Sequence, residues 1–551
     1  MVLGLLRTLA DRDLQGGDSV SYLDIAFAWA RGDFGSAVNA FWSPLYSWLL
    51  AVMLAVLRPG PDWEFTAVSA VGFTVYLLAL GCFLFFWRAV AAWRRSANAD
   101  PTGFSPSAWL LLGYALFLWT TLHLARLTRS PADLLMAAFV YAACGLLARM
   151  RSGDRQPRTM ALFGLALALG YLAKAPMFQL SPVFLIVALL IAGARRLAPA
   201  VVCFLAFSLP WIALISNQKG RLTLGDTAHL NYAWHVNQAP MFYWQGEPAG
   251  LGAPLHPPRQ LYTHPTVYEF AQPAMGSYPI WYDPSYWNEG LWPRFDLRQQ
   301  WNPITRTLRR YQLVLRGRLD LVLVALALLF LSAHRSRSEG LSDKPRGYPW
   351  FLFAPALAGF AMYSLVYVER RHIAVFVVVL WAAVFASLRF PTSSRTGRVA
   401  SLLAGLTLVC TLNLLLIDAP NDWRAIRDRP DRVHGYVAQE LVRRGARPGE
   451  GILVIGSALW NAPSAHLARV QIAAEIPVAE GFAFWSADRA TQTAVLERVA
   501  AHGIRLVVAD CGNCSPPPTC TRFANTSGLA FVEQRSLYVC DVRSITAAPR
   551  P

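Results

Sequence analysis

The chain has 551 residues, 55% of them hydrophobic and only 15% charged, and its mean hydropathy of +0.34 lies well above that of a water-soluble globule of this size. Its formal charge of +17 comes largely from arginines at the ends of apolar runs, without a Lys/Arg-rich arm interleaved with aromatics. This argues against a nucleic-acid partner and for anchoring in a bilayer by the positive-inside rule.

In chain order, the opening MVLGLLRTLADRDLQ is too short and too charged for a signal peptide or a spanning helix, so internal segments must drive insertion. Residues 1–63 read as a first extracytoplasmic region with interfacial helices. In it, GGDSVSYLD sets Asp18 in a Gly-rich turn before a helix expected from Ser21 to Arg31. A carboxylate there can take a proton from an attacking hydroxyl or amine, or it can simply cap the helix. Asp24 and Asp33 are expected on a solvated helix face or end. The segment 44–57, PLYSWLLAVMLAVL, is apolar but short and opens with proline, which suits a re-entrant or interfacial helix.

Spans are predicted at 64–92, 108–125, 131–149, 159–174, 177–194 and 197–216, then at 319–334, 349–368, 372–388 and 399–417, about ten or eleven crossings in all. Basic residues mark the cytoplasmic turns: Arg94 and Arg95; Arg149, Arg151, Arg155 and Arg158; Arg195 and Arg196; Arg335, Arg337, Lys344 and Arg346; Arg389, Arg395 and Arg398. The outer side then receives residues 1–60, the turn from Arg126 to Ser130, the 174–177 turn, the loop 217–318, the turn from Glu369 to His372, and everything after Asp418. Several outer turns nevertheless keep Arg126, Arg129, Lys174, Arg370 and Arg371. Charge held against the topological rule points to function.

In HLARLTRSPADLL, Asp133 falls in the first turn of a helix, where negative charge is favoured; a surface pair with Arg129 is expected, the alternative being that Arg126, Arg129 and Asp133 complete a charged cavity. Lys174, in YLAKAP, either reaches a phosphate at the interface or snorkels. The run Tyr367-Val368-Glu369-Arg370-Arg371-His372 suits an anionic headgroup, because the planar guanidinium fork matches phosphate oxygens; the plainer alternative pairs Glu369 with a neighbouring arginine.

The aromatic and Pro-rich loop 217–318 is too long for a connector and is expected to fold over the membrane surface as a lid or platform. Its histidines, His229, His235, His256 and His264, lack metal-ligand spacing, and no metal or other cofactor is expected. Residues 418–551 read as an extracytoplasmic α/β domain, with strands at GILVIGS, IRLVVADC and SLYVCDV and helices at HLARVQIAAE and DRATQTAVLERVAAHG. Cys511, Cys514, Cys520 and Cys540 lie in it, and an oxidising compartment favours two disulfides over a zinc site begun by Cys511-x-x-Cys514. No phosphate-binding Gly loop, Ser-His-Asp pattern or HExxH occurs.

The strings GGDSVSYLDIAFAWARGDF and WSPLYSWLL, the segment GLALALGYLAKAPMF and the turn YVERRHIAVFVVVLW together resemble bacterial GT-C glycosyltransferases of the protein-mannosyltransferase-like group, which includes the lipid A aminoarabinose transferases. The likeness in layout covers roughly residues 15–417. It implies a polytopic α-helical enzyme of the bacterial inner membrane, with its active site outside and a small α/β domain at the C-terminus. The implied reaction moves a sugar from a polyprenyl-phosphate-linked donor to an extracytoplasmic acceptor. By position, Asp18 would be the catalytic base, with Lys174, Arg370, Arg371 and Arg129 holding the donor phosphate and Tyr22, Glu369, His372 and Asp133 in support. The group begins with a spanning helix before the catalytic loop, and the residues ahead of Asp18 are too few to cross. A lipid or glycan transporter or flippase would instead call for an internal repeat, paired broken helices and charges deep in the membrane. A non-catalytic envelope assembly protein would tolerate loss of Asp18.

Overall fold

The computed structural model describes residues 1–97, 104–125, 131–270, 275–338, 347–388, 395–511, 519–524 and 536–547. They fall into two compact units. The first comprises Met1–Arg7, Gly72–Asn237 and Phe295–Pro420; the second comprises Thr8–Val71, Gln238–Arg294 and Asn421–Pro551.

The first unit is helical. Each predicted span lies on a helix. Six helices are long and apolar enough to cross a membrane among the described residues: Pro61–Ser96, Pro106–Leu124, Pro131–Arg151, Ala194–Lys219, Arg370–Ser387 and Gly397–Asp428. The spans expected at 159–174, 177–194, 319–334 and 349–368 fall on shorter apolar helices, Pro157–Ala173, Pro176–Ala192, Leu319–Phe330 and Trp350–Ser364. The chain is thus a multi-pass membrane protein. Proline at the first turn of Pro106–Leu118, Pro157–Ala173 and Pro176–Ala192 starts each helix where a missing N–H costs nothing. The apolar window of Pro131–Arg151 is 89% buried and that of Gly397–Asp428 only 22%, so the former is core and the latter leaves its surface to lipid.

Two buried indoles in this interior satisfy each other, as an apolar medium favours. The Trp87 and Trp109 rings stack at 4.4 Å, and each indole N–H donates to the other's carbonyl, at 2.7 and 3.1 Å. Gly164 lets Pro157–Ala173 approach Ala194–Lys219 so closely that a Cβ would strike the Ala200 carbonyl.

The second unit is built on a seven-stranded sheet in the order β1-β2-β4-β3-β5-β7-β6. The strands are β1 (Arg259–Thr263), β2 (Thr266–Glu269), β3 (Gly451–Gly456), β4 (Gln471–Pro477), β5 (Leu506–Cys511), β6 (Thr521–Ala524) and β7 (Ser536–Asp541). The centre is parallel, with Ile452 of β3 opposite both Ile472 and Leu506, and the flanking pairs are antiparallel. Burial on both faces explains the uninterrupted apolar run of β3. Two strands come from the aromatic loop: β2 pairs antiparallel with β4 through Tyr268 and Glu475. The loop therefore supplies sheet edge as well as connection.

One predicted helix is corrected. HLARVQIAAE is not continuous helix, because Ala458–Ala468 ends there and Gln471–Pro477 is β4. Arg469 takes a left-handed φ of 59° as the C-cap, and the apolar residues that follow gain more by filling the sheet than by continuing one helix face. The Arg489–Ala500 helix forms as read, capped by the Asp488 carboxylate accepting from Thr491 N at 2.7 Å. Cys520 and Cys540 form a disulfide with Cα atoms 4.5 Å apart; Cys514 and the Cys511 side chain lie outside the described residues, as do Arg126, Arg129, Lys344, Arg346 and Arg389.

Candidate active site

In the second unit Asp18 occupies the first turn of the Gly17–Ala30 helix, whose N-cap is Gly16. The helix starts four residues earlier than expected, and Asp18 is past the capping position, so it is not the helix cap. Gly17 is required by close approach: a Cβ there would collide with the Leu459 side chain. Asp18 Oδ1 accepts from the Trp281 indole N–H at 3.1 Å. The Trp281 carbonyl in turn accepts from Ser21 Oγ at 3.0 Å and from Trp42 Nε1 at 3.1 Å. Tyr22 is buried, edge-on to Trp42 at 5.0 Å and to Tyr46 at 5.4 Å, and its carbonyl accepts from Ser47 Oγ at 2.9 Å. That last bond ties the Pro44–Leu57 helix to the Asp18 helix. Asp18 is half-buried, and the Trp281 ring that bonds it packs against Phe41, Trp42 and Phe242.

Asp33 caps the next turn, accepting from Ser36 N at 3.2 Å, and is exposed as expected. Asp24 is not on a solvated face. Its side chain is 9% exposed, and it accepts from Ser277 N at 2.7 Å, Ser277 Oγ at 3.0 Å and the His466 ring at 2.5 Å. The expectation fails because the partners come from segments hundreds of residues away, outside any local window.

In the first unit, tertiary packing assembles most of the predicted cationic group. Asp133, in the first turn of Pro131–Arg151, is buried. Lys174 Nζ donates to Asp133 Oδ1, and Arg371 Nε stands 3.7 Å from Asp133 Oδ2. The expected surface pair of Asp133 with Arg129 is thus corrected on the Asp133 side: this carboxylate is inside and serves Lys174, the C-cap of Pro157–Ala173, which leaves the helix in extended conformation. Glu369 is the N-cap of Arg370–Ser387 and forms a capping box with His372. It also holds Arg371 Nε at 2.7 Å and accepts from the Tyr367 hydroxyl at 2.7 Å. His372 stacks on Tyr363 at 5.1 Å.

Beside this cluster lies a cavity of about 600 Å³ lined by His123, Ala125, Arg310, Tyr367, Glu369, Arg370 and Arg371, among others. Three arginines against one carboxylate make it anion-attracting. Sequence reading passed over Arg310 and His123. Arg310 donates to the Val368 carbonyl and lies over the Tyr367 ring, 5.1 Å from its centroid; the only signal for it was its helix, Leu297–Arg316, crowded with arginine. His123 is delivered by a π-helical turn, Trp119–Leu124, a backbone feature with no sequence signature. Nearby His235, stacked on Tyr367 at 4.1 Å, is pushed down to about 4 by burial and by the charges of Arg306 and Arg310. It stays neutral at pH 7 and adds no charge. Among the described residues, no group of three or more His, Cys, Asp or Glu side chains could hold a metal ion.

No protein-family model matches this chain, and no curated protein matches it in sequence. Solved structures do. ArnT from Cupriavidus metallidurans bound to undecaprenyl phosphate is similar at a TM-score of 0.56 and 13% identity, covering 100% of this chain and 98% of that one. The apo state of the same protein is similar at a TM-score of 0.50 and 14% identity over 100% and 98% of the two chains. At such identities the likeness is one of architecture, and it extends over the helices and the sheet alike. The chain shares the fold of these structures over its whole length.

Proposed function

We propose that this protein is a membrane glycosyltransferase that moves a sugar from a polyprenyl-phosphate-linked donor to an extracytoplasmic glycan, lipid or protein, with Asp18 as base. The observation that carries the proposal is a GT-C-like fold over the whole chain; one of the similar structures holds undecaprenyl phosphate. The arginine-lined cavity supplies the matching chemistry, since guanidinium forks complement phosphate oxygens.

The acceptor O–H or N–H attacks the anomeric carbon while the bond from that carbon to the phosphate oxygen breaks. The acceptor proton passes to the Asp18 carboxylate, and the electron pair leaves on the phosphate. Arg370, Arg371 and Arg310 stabilise the charge that grows there. Lys174 and Asp133 neutralise each other and hold Arg371 in place. A single in-line displacement inverts the anomeric configuration. The test is transfer by the purified protein from a panel of polyprenyl-phosphate sugars. Asp18→Asn is expected to lose at least about a hundredfold in kcat, the scale of general-base catalysis. Equal turnover by wild type and variant overturns the mechanism, and movement of intact donor across the bilayer without transfer favours a transporter.

A further inference from the structure

A buried charge cluster in the second unit takes no part in the chemistry above. His466, 2% exposed, lies in the Ala458–Ala468 helix and presents Nδ1 to Asp24 at 2.5 Å and Nε2 to Glu64. Glu64 is fully buried and also receives Arg469, whose guanidinium lies over Phe27, 4.3 Å from the ring centroid. The Phe27 and Phe65 rings close the site around the imidazole. Two carboxylates face one arginine, so the buried group balances only with a positive imidazolium. A neutral ring would leave a net negative charge out of water, which is strongly disfavoured.

Two of the cluster's contacts lead directly to Asp18. Asp24 sits on the same helix, and a helical rise of 1.5 Å per residue puts it about 9 Å further along. The short segment from Ser277 to Trp281 then bridges the two acids: Ser277 bonds Asp24, and the Trp281 indole bonds Asp18. Ile472 N of β4 donates to the Ser277 carbonyl at 2.9 Å, tying the same segment to the sheet. The charged clamp therefore fixes both the helix that carries Asp18 and the residue that donates to it.

We propose that His466 is a positioning residue: clamped as an imidazolium between Asp24 and Glu64, it makes the C-terminal domain part of the apparatus that aims the Asp18 carboxylate. This rests on the reading of Asp18 as the transfer base. Burial works against the charged ring, but the Glu64 and Asp24 carboxylates outweigh it and hold its pKa up to about 9. Because the folded value lies above the ordinary 6.5, the stabilisation is fully present below that ordinary value and is lost as pH rises through about 9.

The experiment measures kcat and donor KM of the full-length protein in lipid discs, from neutral pH to above the His466 value. Wild type is expected to lose kcat through that range at unchanged KM. His466→Gln is expected to fall roughly tenfold in kcat at neutral pH, within the range that misplacement of a catalytic group produces, and to lack the alkaline limb. Should that variant fail to fold, the double change Asp24→Asn with His466→Gln replaces the ion pair by two amides. It is expected to fold, with reduced kcat and no alkaline limb. Wild-type kcat with the limb intact in either variant overturns the clamp, whereas full activity of Asp18→Asn overturns the base, and the clamp with it.

Discussion

Glu475 shows what single residues contribute here. It is buried on β4, an inner strand between β2 and β3, where it accepts from the Tyr278 hydroxyl at 2.7 Å and from Ala458 N at 3.3 Å. Burial raises its pKa to about 7, and the hydrogen bonds from Tyr243 and Tyr278 only partly offset this. An unfolded chain would release that proton near 4.5. Between these values the folded state binds more protons than the unfolded one, so stability falls as pH rises through the window. A tenfold change in an ionisation constant is worth ~1.4 kcal/mol, so Glu475→Gln is expected to gain roughly 3 kcal/mol above pH 7 and little below the unfolded value. Thermal unfolding of both proteins across that range checks this, and identical melting curves would refute it. At this scale the sequence was legible where chemistry is local: Asp133 in its helical turn, the Glu369 to His372 turn, Asp33 at a solvated helix end. Asp24, Glu64, His466, Arg310 and Glu475 were not legible, because each owes its role to a partner from a distant segment.

Among the elements, the Leu297–Arg316 helix is the most informative. Its N-cap Asp296 accepts from Arg298 N at 2.7 Å and Gln299 N at 3.1 Å. Leu297, Trp301, Leu308 and Leu315 recur at helical spacing and are 75, 62, 50 and 49% exposed. Gln300, Pro303, Thr307 and Val314 face the protein instead, and Arg298, Arg309 and Arg316 are exposed on the remaining side. An apolar stripe turned away from the protein beside a basic face is the pattern of a helix lying in the membrane interface. A spin label at Leu308→Cys is expected to relax faster with oxygen, which partitions into lipid, and one at Arg309→Cys with a water-soluble nickel complex. Equal, water-like accessibility at both sites would exclude the assignment. Within the long loop, aromatic and Pro-rich composition masked both this helix and the β1–β2 hairpin. The apolar spans and β3, β5 and β7 stood out because their periodicity is set by burial itself.

For the whole molecule, the distribution of basic residues predicts which turns share a side. With the native free cysteines removed, Ser152→Cys is expected to react with an impermeant thiol reagent only from the cytosol. Ser486→Cys, in the α/β domain, is expected to react only from outside. Labelling of both from the same side would refute the topology on which the proposed reaction depends. Sequence alone determined the bilayer as solvent, the position of the spans and the α/β character of the C-terminal region, since each follows from apolar composition and spacing within some twenty residues. Tertiary structure decided which acids are buried, that Lys174 answers to Asp133, that Arg310 lines a cavity, and that the sheet borrows two strands from the aromatic loop. Those facts depend on contacts between segments far apart in the chain, where desolvation and charge pairing, rather than local propensity, set the energy.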